Sequence, residues 1–103
     1  MSRINKHDLY VAELVSRIES QYDEIQTHLP LFSYKRNKRR VAGEIDLLAR
    51  KGDALHVYEV KCSYRPIKAR KQLMRIRRLI GVDDVRLFFF NGESGSITAL
   101  LGE

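Results

Sequence analysis

Three residues near the middle of this sequence, Asp46, Glu59 and Lys61, have the functional groups needed to work on a phosphate ester. A pair of carboxylates can hold a hard divalent cation such as Mg²⁺ together with waters and substrate oxygens. A cation held this way polarises a phosphate oxygen, lowers the pKa of a bound water and keeps the two in line. An ammonium beside it can orient the water or stabilise charge that develops on the phosphorane oxygens.

The local pattern brings these groups together. Residues Gly43–Arg50 and Ala54–Lys61 read as strands, with Lys51-Gly52-Asp53 between them. A Gly-Asp connection suits a II′ turn, which needs glycine at its first central position. Lys51 then pairs with Ala54, Asp46 faces Glu59, and Glu44 faces Lys61. Alternate residues share a face of a strand, so Glu44, Asp46, Glu59 and Lys61 form a square. Leu48 and Val57 continue that face; Ile45, Leu47, Ala49, Tyr58 and Val60 make the opposite one. Both strands therefore read as central. Two acids facing each other destabilise a sheet, and a bound cation reverses that sign. The plain alternative is a solvated strand face with an ordinary Glu44–Lys61 ion pair. The apolar continuation at Leu48 and Val57 argues against full solvation.

Other elements must position this hairpin. Lys6 to Tyr22 has helical spacing, with Val11, Val15, Ile18 and Tyr22 in one stripe and Leu14 beside it. Pro30 excludes a helix interior, and Ile25–Tyr34 reads as an irregular first strand. The run from Lys35 to Arg40 reads as a loop because nothing in it can be buried. Ile67–Ile80 forms a basic amphipathic helix that Gly81 can end in the left-handed conformation. Its core stripe is Ala69, Leu73, Ile76 and Ile80. Val85–Phe90 is an apolar run of strand length, of the kind buried on both faces. Ser96–Leu101 is a short last strand. The order α-β-β-β-α-β-β predicts a small α/β sandwich with a mixed sheet, formed by residues 1–103 as one domain.

Gly43-Glu44-Ile45-Asp46-Leu47-Leu48, a gap of twelve residues after Asp46, and then Glu59-Val60-Lys61 resembles the D-x(n)-E-x-K signature of PD-(D/E)XK nucleases. The wording is most similar to the YraN-like proteins and the archaeal Holliday junction resolvases, and the resemblance spans about residues 6–90. It implies a restriction-endonuclease-like αβββαβ core and Mg²⁺- or Mn²⁺-dependent hydrolysis of DNA, including branched DNA. Under it Asp46 and Glu59 bind the metal, the Val60 carbonyl adds a ligand and Lys61 is the catalytic lysine. Such families place a glutamine on the helix after the E-x-K strand, and Gln72 fits, at the margin of the core stripe between Lys68 and Arg75. They also carry an acid on the first helix. Glu13 lies nearly opposite the Val11 stripe, whereas Asp8 lies near its edge, so Asp8 is the preferred metal residue and Glu13 the reserve.

Charge is segregated along the chain. Residues 1–34 hold 3 basic and 5 acidic side chains, residues 35–78 hold 15 and 4, and residues 79–103 hold 1 and 4. A basic middle between mildly acidic ends points to a polyanion, in preference to a merely solvated surface. The nucleic-acid candidates are Lys35, Arg36, Lys38, Arg39 and Arg40, then Arg65, Lys68, Lys71 and Arg75. Phosphate contacts position a protein without specifying sequence, so shape or ends of the nucleic acid are the expected target. Tyr34 and Tyr64 are candidates for stacking on bases, with rim packing as the commoner role. Symmetric cutting of two strands predicts a homodimer, with the apolar Leu87–Phe90 segment or the last strand either at the interface or filling the core. A binding module that has lost the chemistry is the competing expectation, and an RNA-associated basic protein the third.

No run approaches the ~18 apolar residues of a membrane span, and the start lacks a secretory pattern. The single cysteine, Cys62, cannot form an internal disulfide, so a cytoplasmic protein is expected. No Cys/His spacing suggests zinc. The scattered histidines, His7, His28 and His56, are given ordinary roles.

Overall fold

Helix α1 (Lys6–Ile18) begins where Asn5 caps it, the Asn5 side chain accepting the Asp8 N–H at 2.8 Å. The computed structural model describes residues 5–82 and 84–100 of the chain. Helix α1 buries Val11, Leu14 and Ile18, so Leu14 stands in the centre of the stripe and Val15 at its side. It ends earlier than its spacing predicts: a single 3₁₀ turn over Glu19–Gln21 carries the chain into the sheet.

Five strands follow the predicted order: β1 (Glu24–Lys35), β2 (Lys38–Lys51), β3 (Ala54–Lys61), then helix α2 (Pro66–Ile80), β4 (Val85–Asn91) and β5 (Ser96–Leu100). They form one sheet in the order β1-β2-β3-β4-β5, antiparallel except for the β3–β4 pair. The chain is thus a mixed α/β domain with an αβββαβ core and an added edge strand. Gly52 makes the β2–β3 turn with φ +58°, and Lys51 pairs with Ala54 as predicted. Gly81 closes α2 at φ 71°.

The two helices cover opposite faces. Val11, Leu14 and Ile18 of α1 pack on Leu47, Ala49, Tyr58, Val60 and Phe90. Leu73 and Ile76 of α2 pack on Ile45, Val57, Val85 and Leu87. Leu87, Phe89 and Phe90 are buried in the domain's own core, so the Leu87–Phe90 segment is not free to form an interface. Residues 35–40 are a correction to the predicted loop: they are the ends of β1 and β2 and a two-residue turn. No helix among the described residues is long and apolar enough to cross a membrane.

The β4–β5 turn fastens the end of β3. The Gly92 N–H donates to the Lys61 carbonyl at 2.8 Å and the Glu93 N–H to that of Cys62 at 3.1 Å. The ring of Tyr10 lies directly over Gly92, where an added Cβ would come within 2.3 Å of it. Gly92→Ala is therefore expected to displace Tyr10 and to cost about 1–3 kcal/mol as an overpacking change. Urea unfolding should show it as a lower midpoint with unchanged slope. An unchanged midpoint would mean that the ring moves aside freely.

Candidate active site

The site forms where β2 and β3 part. Their ladder runs from Lys51↔Ala54 to Leu47↔Tyr58 and stops there. At the next position the Val60 N–H donates to Asp46 Oδ2 at 2.8 Å, so a carboxylate takes the place of a strand partner. The β1–β2 ladder also skips this level. Thr27 pairs with Leu47 and Leu29 with Ile45, but His28, at φ 54°, is unpaired opposite Asp46.

This double interruption corrects the predicted faces. Ile45 joins the cluster under α2, whereas Leu47, two residues on, joins the cluster under α1. Three consecutive residues, Ile45, Asp46 and Leu47, are buried. Strict alternation would put Ile45 and Leu47 on one face, not under different helices. The predicted square therefore opens. Asp46 and Glu59 stay together, but Glu44 does not face Lys61. Its Oε1 lies 3.6 Å from His28 Nδ1 instead.

Asp46 and Glu59 are only 6 % and 4 % exposed. Burying two carboxylates side by side is costly because each disfavours the other's charge. Burial, and after it the Asp46 carboxylate, pushes the Glu59 carboxyl up to about 7, while Lys61 pulls in the other direction. Lys61 Nζ lies 3.2 Å from Glu59 Oε2 and also donates to Gln72 Oε1. Gln72 thus reaches Lys61 from α2. Beside it a small cavity of about 110 Å³ is lined by Glu44, Gln72 and Arg75 among others.

His7 is the residue that sequence reasoning missed. Its Nε2 lies 3.3 Å from Asp46 Oδ2 and 3.1 Å from the Val60 carbonyl oxygen. A carbonyl only accepts, so Nε2 carries the proton. His7 stands four residues before Val11, and extending the α1 stripe back by one turn would have placed it on the inward face. Burial lowers its pKa, but Asp46, then Asp8 and the Val60 carbonyl, outweigh that and raise it above the ordinary histidine value.

Asp8 does not touch Asp46 or Glu59 in the hydrogen-bond and ion-pair geometry. It lies 3.6 Å from His7 Nδ1 and 3.8 Å from His28 Nε2, so it stands behind His7 as a partner of imidazoles. Glu13 is exposed on the outer side of α1. Among the described residues, no group of three or more His, Cys, Asp or Glu side chains is arranged to hold a metal ion. Mg²⁺ does not require one, since it is bound through one or two carboxylates with waters and substrate oxygens completing the shell. The donors here suit that mode. Asp46 Oδ2 and the Val60 carbonyl converge on one point, where the His7 N–H now supplies the positive end of a dipole.

The basic candidates fall on two surfaces. Lys35, Arg36, Lys38, Arg39 and Arg40 lie on the β1–β2 hairpin end, and Arg65, Lys68, Lys71 and Arg75 are exposed on or beside α2. Tyr34 and Tyr64 are both largely exposed, with Tyr64 ranged against Phe89 at 6.2 Å between ring centroids.

No protein-family model matches the chain, and no curated protein matches it. Among solved structures it is similar to the one described as "Crystal structure of SSO0001". The TM-score is 0.60 at 16 % identity, over 91 % of this chain and 49 % of that one. The chain spans about half the length of that protein, and at this identity the likeness concerns the fold alone.

Proposed function

We propose that this protein is a Mg²⁺- or Mn²⁺-dependent DNA endonuclease of the PD-(D/E)XK type, acting in the cytoplasm and favouring branched DNA such as a Holliday junction. One observation carries the reading: two buried carboxylates, Asp46 and Glu59, are held together at a break in the sheet with Lys61 beside them. A solvated strand face would not bury them, and a pure DNA-binding module gains nothing from acids aimed at phosphates.

In this reading Asp46, Glu59 and the Val60 carbonyl hold the metal. A metal held there would supply polarisation of the scissile phosphate and a water of lowered pKa. His7 holds Asp46 and the Val60 carbonyl together from the α1 side, at the point where the ion would replace its N–H. Lys61, fixed between Glu59 and Gln72, presents its ammonium to the attacking water or to the phosphorane oxygens. The exposed cations bind the flanking backbone, which makes affinity steeply salt-dependent. Two symmetric cuts need two sites, so a C₂ homodimer belongs to the junction-cutting version. The β5 edge, largely exposed, is open to it.

The test is a substrate panel of four-way junction, flap, duplex and single strand, each with Mg²⁺, Mn²⁺ or EDTA. The parent should cut at least one of these in the presence of metal. Asp46→Asn should cut none, and it keeps a carbonyl to accept the Val60 N–H. Cutting by Asp46→Asn at the parental rate, or no cutting by the parent, overturns the proposal. Sedimentation at micromolar concentration checks the dimer; a monomer counts against junction resolution only.

A further inference from the structure

The paired strands β1 and β2 run on past the rest of the sheet. Strand β3 meets β2 only at Leu47–Lys51, yet β1 and β2 remain paired to their tip at Lys35↔Lys38. The outer part, residues 32–41, is a two-stranded ribbon with no third strand beside it. All but Ser33 of these residues are exposed. At four residues a strand and ~3.4 Å each, it projects about 14 Å before its turn. A register shift between Leu31 and Phe32 marks its base, and such a bulge bends and twists a strand pair.

The ribbon is built, not frayed. Arg36 and Asn37 make its turn at φ 54° and 65°, the positive pair that a I′ turn requires. A lone two-stranded ribbon is at best marginally stable in water, and this one also places Lys35 directly opposite Lys38, a like-charge pairing that weakens it. Among the described residues, no acid forms an ion pair with any of its five cations. Lys35, Arg36, Lys38 and Arg40 alone line a concavity of about 240 Å³. The other side of the ribbon carries Phe32 and Tyr34, with the Arg39 guanidinium over the Phe32 ring at 4.4 Å. One side is thus cationic with Ser33 at its base, and the other combines aromatic rings with the Arg39 guanidinium.

We infer that the 32–41 ribbon is a docking arm that enters the major groove of B-form duplex DNA next to the site. The inference rests on the nuclease reading for the choice of polymer only. A B-DNA major groove, ~12 Å wide, admits a two-stranded β-ribbon, and its walls are the phosphates that the cationic side requires. The major groove of A-form RNA is deep and too narrow for such a ribbon.

Binding is measured by fluorescence anisotropy in EDTA, where metal-dependent cutting cannot intervene. The ligands are a 20-base-pair DNA duplex, the RNA duplex of the same sequence, the DNA single strand, and a DNA duplex whose major groove is filled by glucosylated 5-hydroxymethylcytosine. The parent should bind plain duplex DNA at least tenfold more tightly than each of the other three. The combined variant Lys35→Gln, Lys38→Gln, Arg40→Gln should lose at least tenfold in affinity for it. Its log–log salt slope should be shallower by about 2 to 3, one phosphate contact per cation removed. These positions are exposed, and circular dichroism verifies the variant's fold. Equal binding of RNA or glucosylated DNA, tighter binding of the single strand, or parental affinity in the variant overturns the arm. Arm-dependent binding by a protein that cuts nothing in the substrate panel leaves the arm standing and removes the nuclease. Cutting by a protein whose arm variant binds normally does the reverse.

Discussion

Lys61→Ala is expected to cut DNA about 10²- to 10³-fold more slowly than the parent while still gaining thermal stability from Mg²⁺. The size follows from removing one preorganised group that stabilises charge in the transition state. The separation of the two effects follows from the geometry. Lys61 touches Glu59 Oε2 and Gln72 Oε1 but neither Asp46 nor the Val60 carbonyl in the hydrogen-bond and ion-pair geometry, so its loss leaves those donors in place. Asp46→Asn should lose both cutting and the Mg²⁺-dependent rise in Tm, because binding to the native state alone is what raises stability. Single-turnover cleavage and thermal melts with and without Mg²⁺ check the pair. A Lys61→Ala protein that cuts at the parental rate would remove the lysine from the chemistry. One that no longer responds to Mg²⁺ would make it part of the metal site instead.

The second expectation concerns stability without metal. The Glu59 carboxyl is raised from 4.5 to about 7 on folding. Between these values the native state holds a proton that the unfolded chain has released, so stability falls as pH rises through that window. His7, also raised, adds stability at low pH that is lost as pH climbs through its folded value. His56, lowered by burial and then by Arg86, acts in the opposite sense. Glu59→Gln isolates the carboxyl. It has no charge to bury, so in EDTA it should melt several degrees above the parent at pH 8 and near the parent at pH 4. Mg²⁺ should raise Tm at pH 8 in the parent and far less in the variant. Parallel pH curves for the two proteins would show that Glu59 is not the strained group.

The element order was legible because it rests on short-range rules. Gly52-Asp53 set the hairpin register, Gly81 stopped α2, and Val85–Phe90 read as a buried strand. The site was legible in its acids and lysine and illegible in its surroundings. Pairing arithmetic assumes that a ladder continues, and it cannot foresee that the Asp46 carboxylate replaces a strand partner for Val60. Nor does any local pattern announce a left-handed His28, which is an uncommon conformation outside glycine. With both ladders interrupted at one level, Ile45 changed sides and Glu44 left the square. His7 was different: helical spacing from Val11 already aimed it inward. It was overlooked because it lies 39 residues from its partner Asp46, a contact made only by the packing of α1 on the sheet. The Lys35–Arg40 run read as a loop because nothing in it can be buried, but a hairpin tip needs no buried side chain, and Arg36-Asn37 turn without glycine.

The parting of β2 from β3 also has a mechanical consequence. Strand β2 runs from Lys38 to Lys51 through a bulge at Ala42, and the Leu47–Tyr58 pair, where its pairing with β3 ends, is the pivot between its two limbs. The outer limb bears the basic tip, and Asp46 sits one residue beyond the pivot. Glu59 and Lys61 belong to the opposing jaw, which is clamped along β4 from Leu55↔Val85 to Lys61↔Asn91. The Val60 N–H to Asp46 Oδ2 bond is the link between limb and jaw, while Glu59 and Lys61 stay paired to β4 on the far side of it.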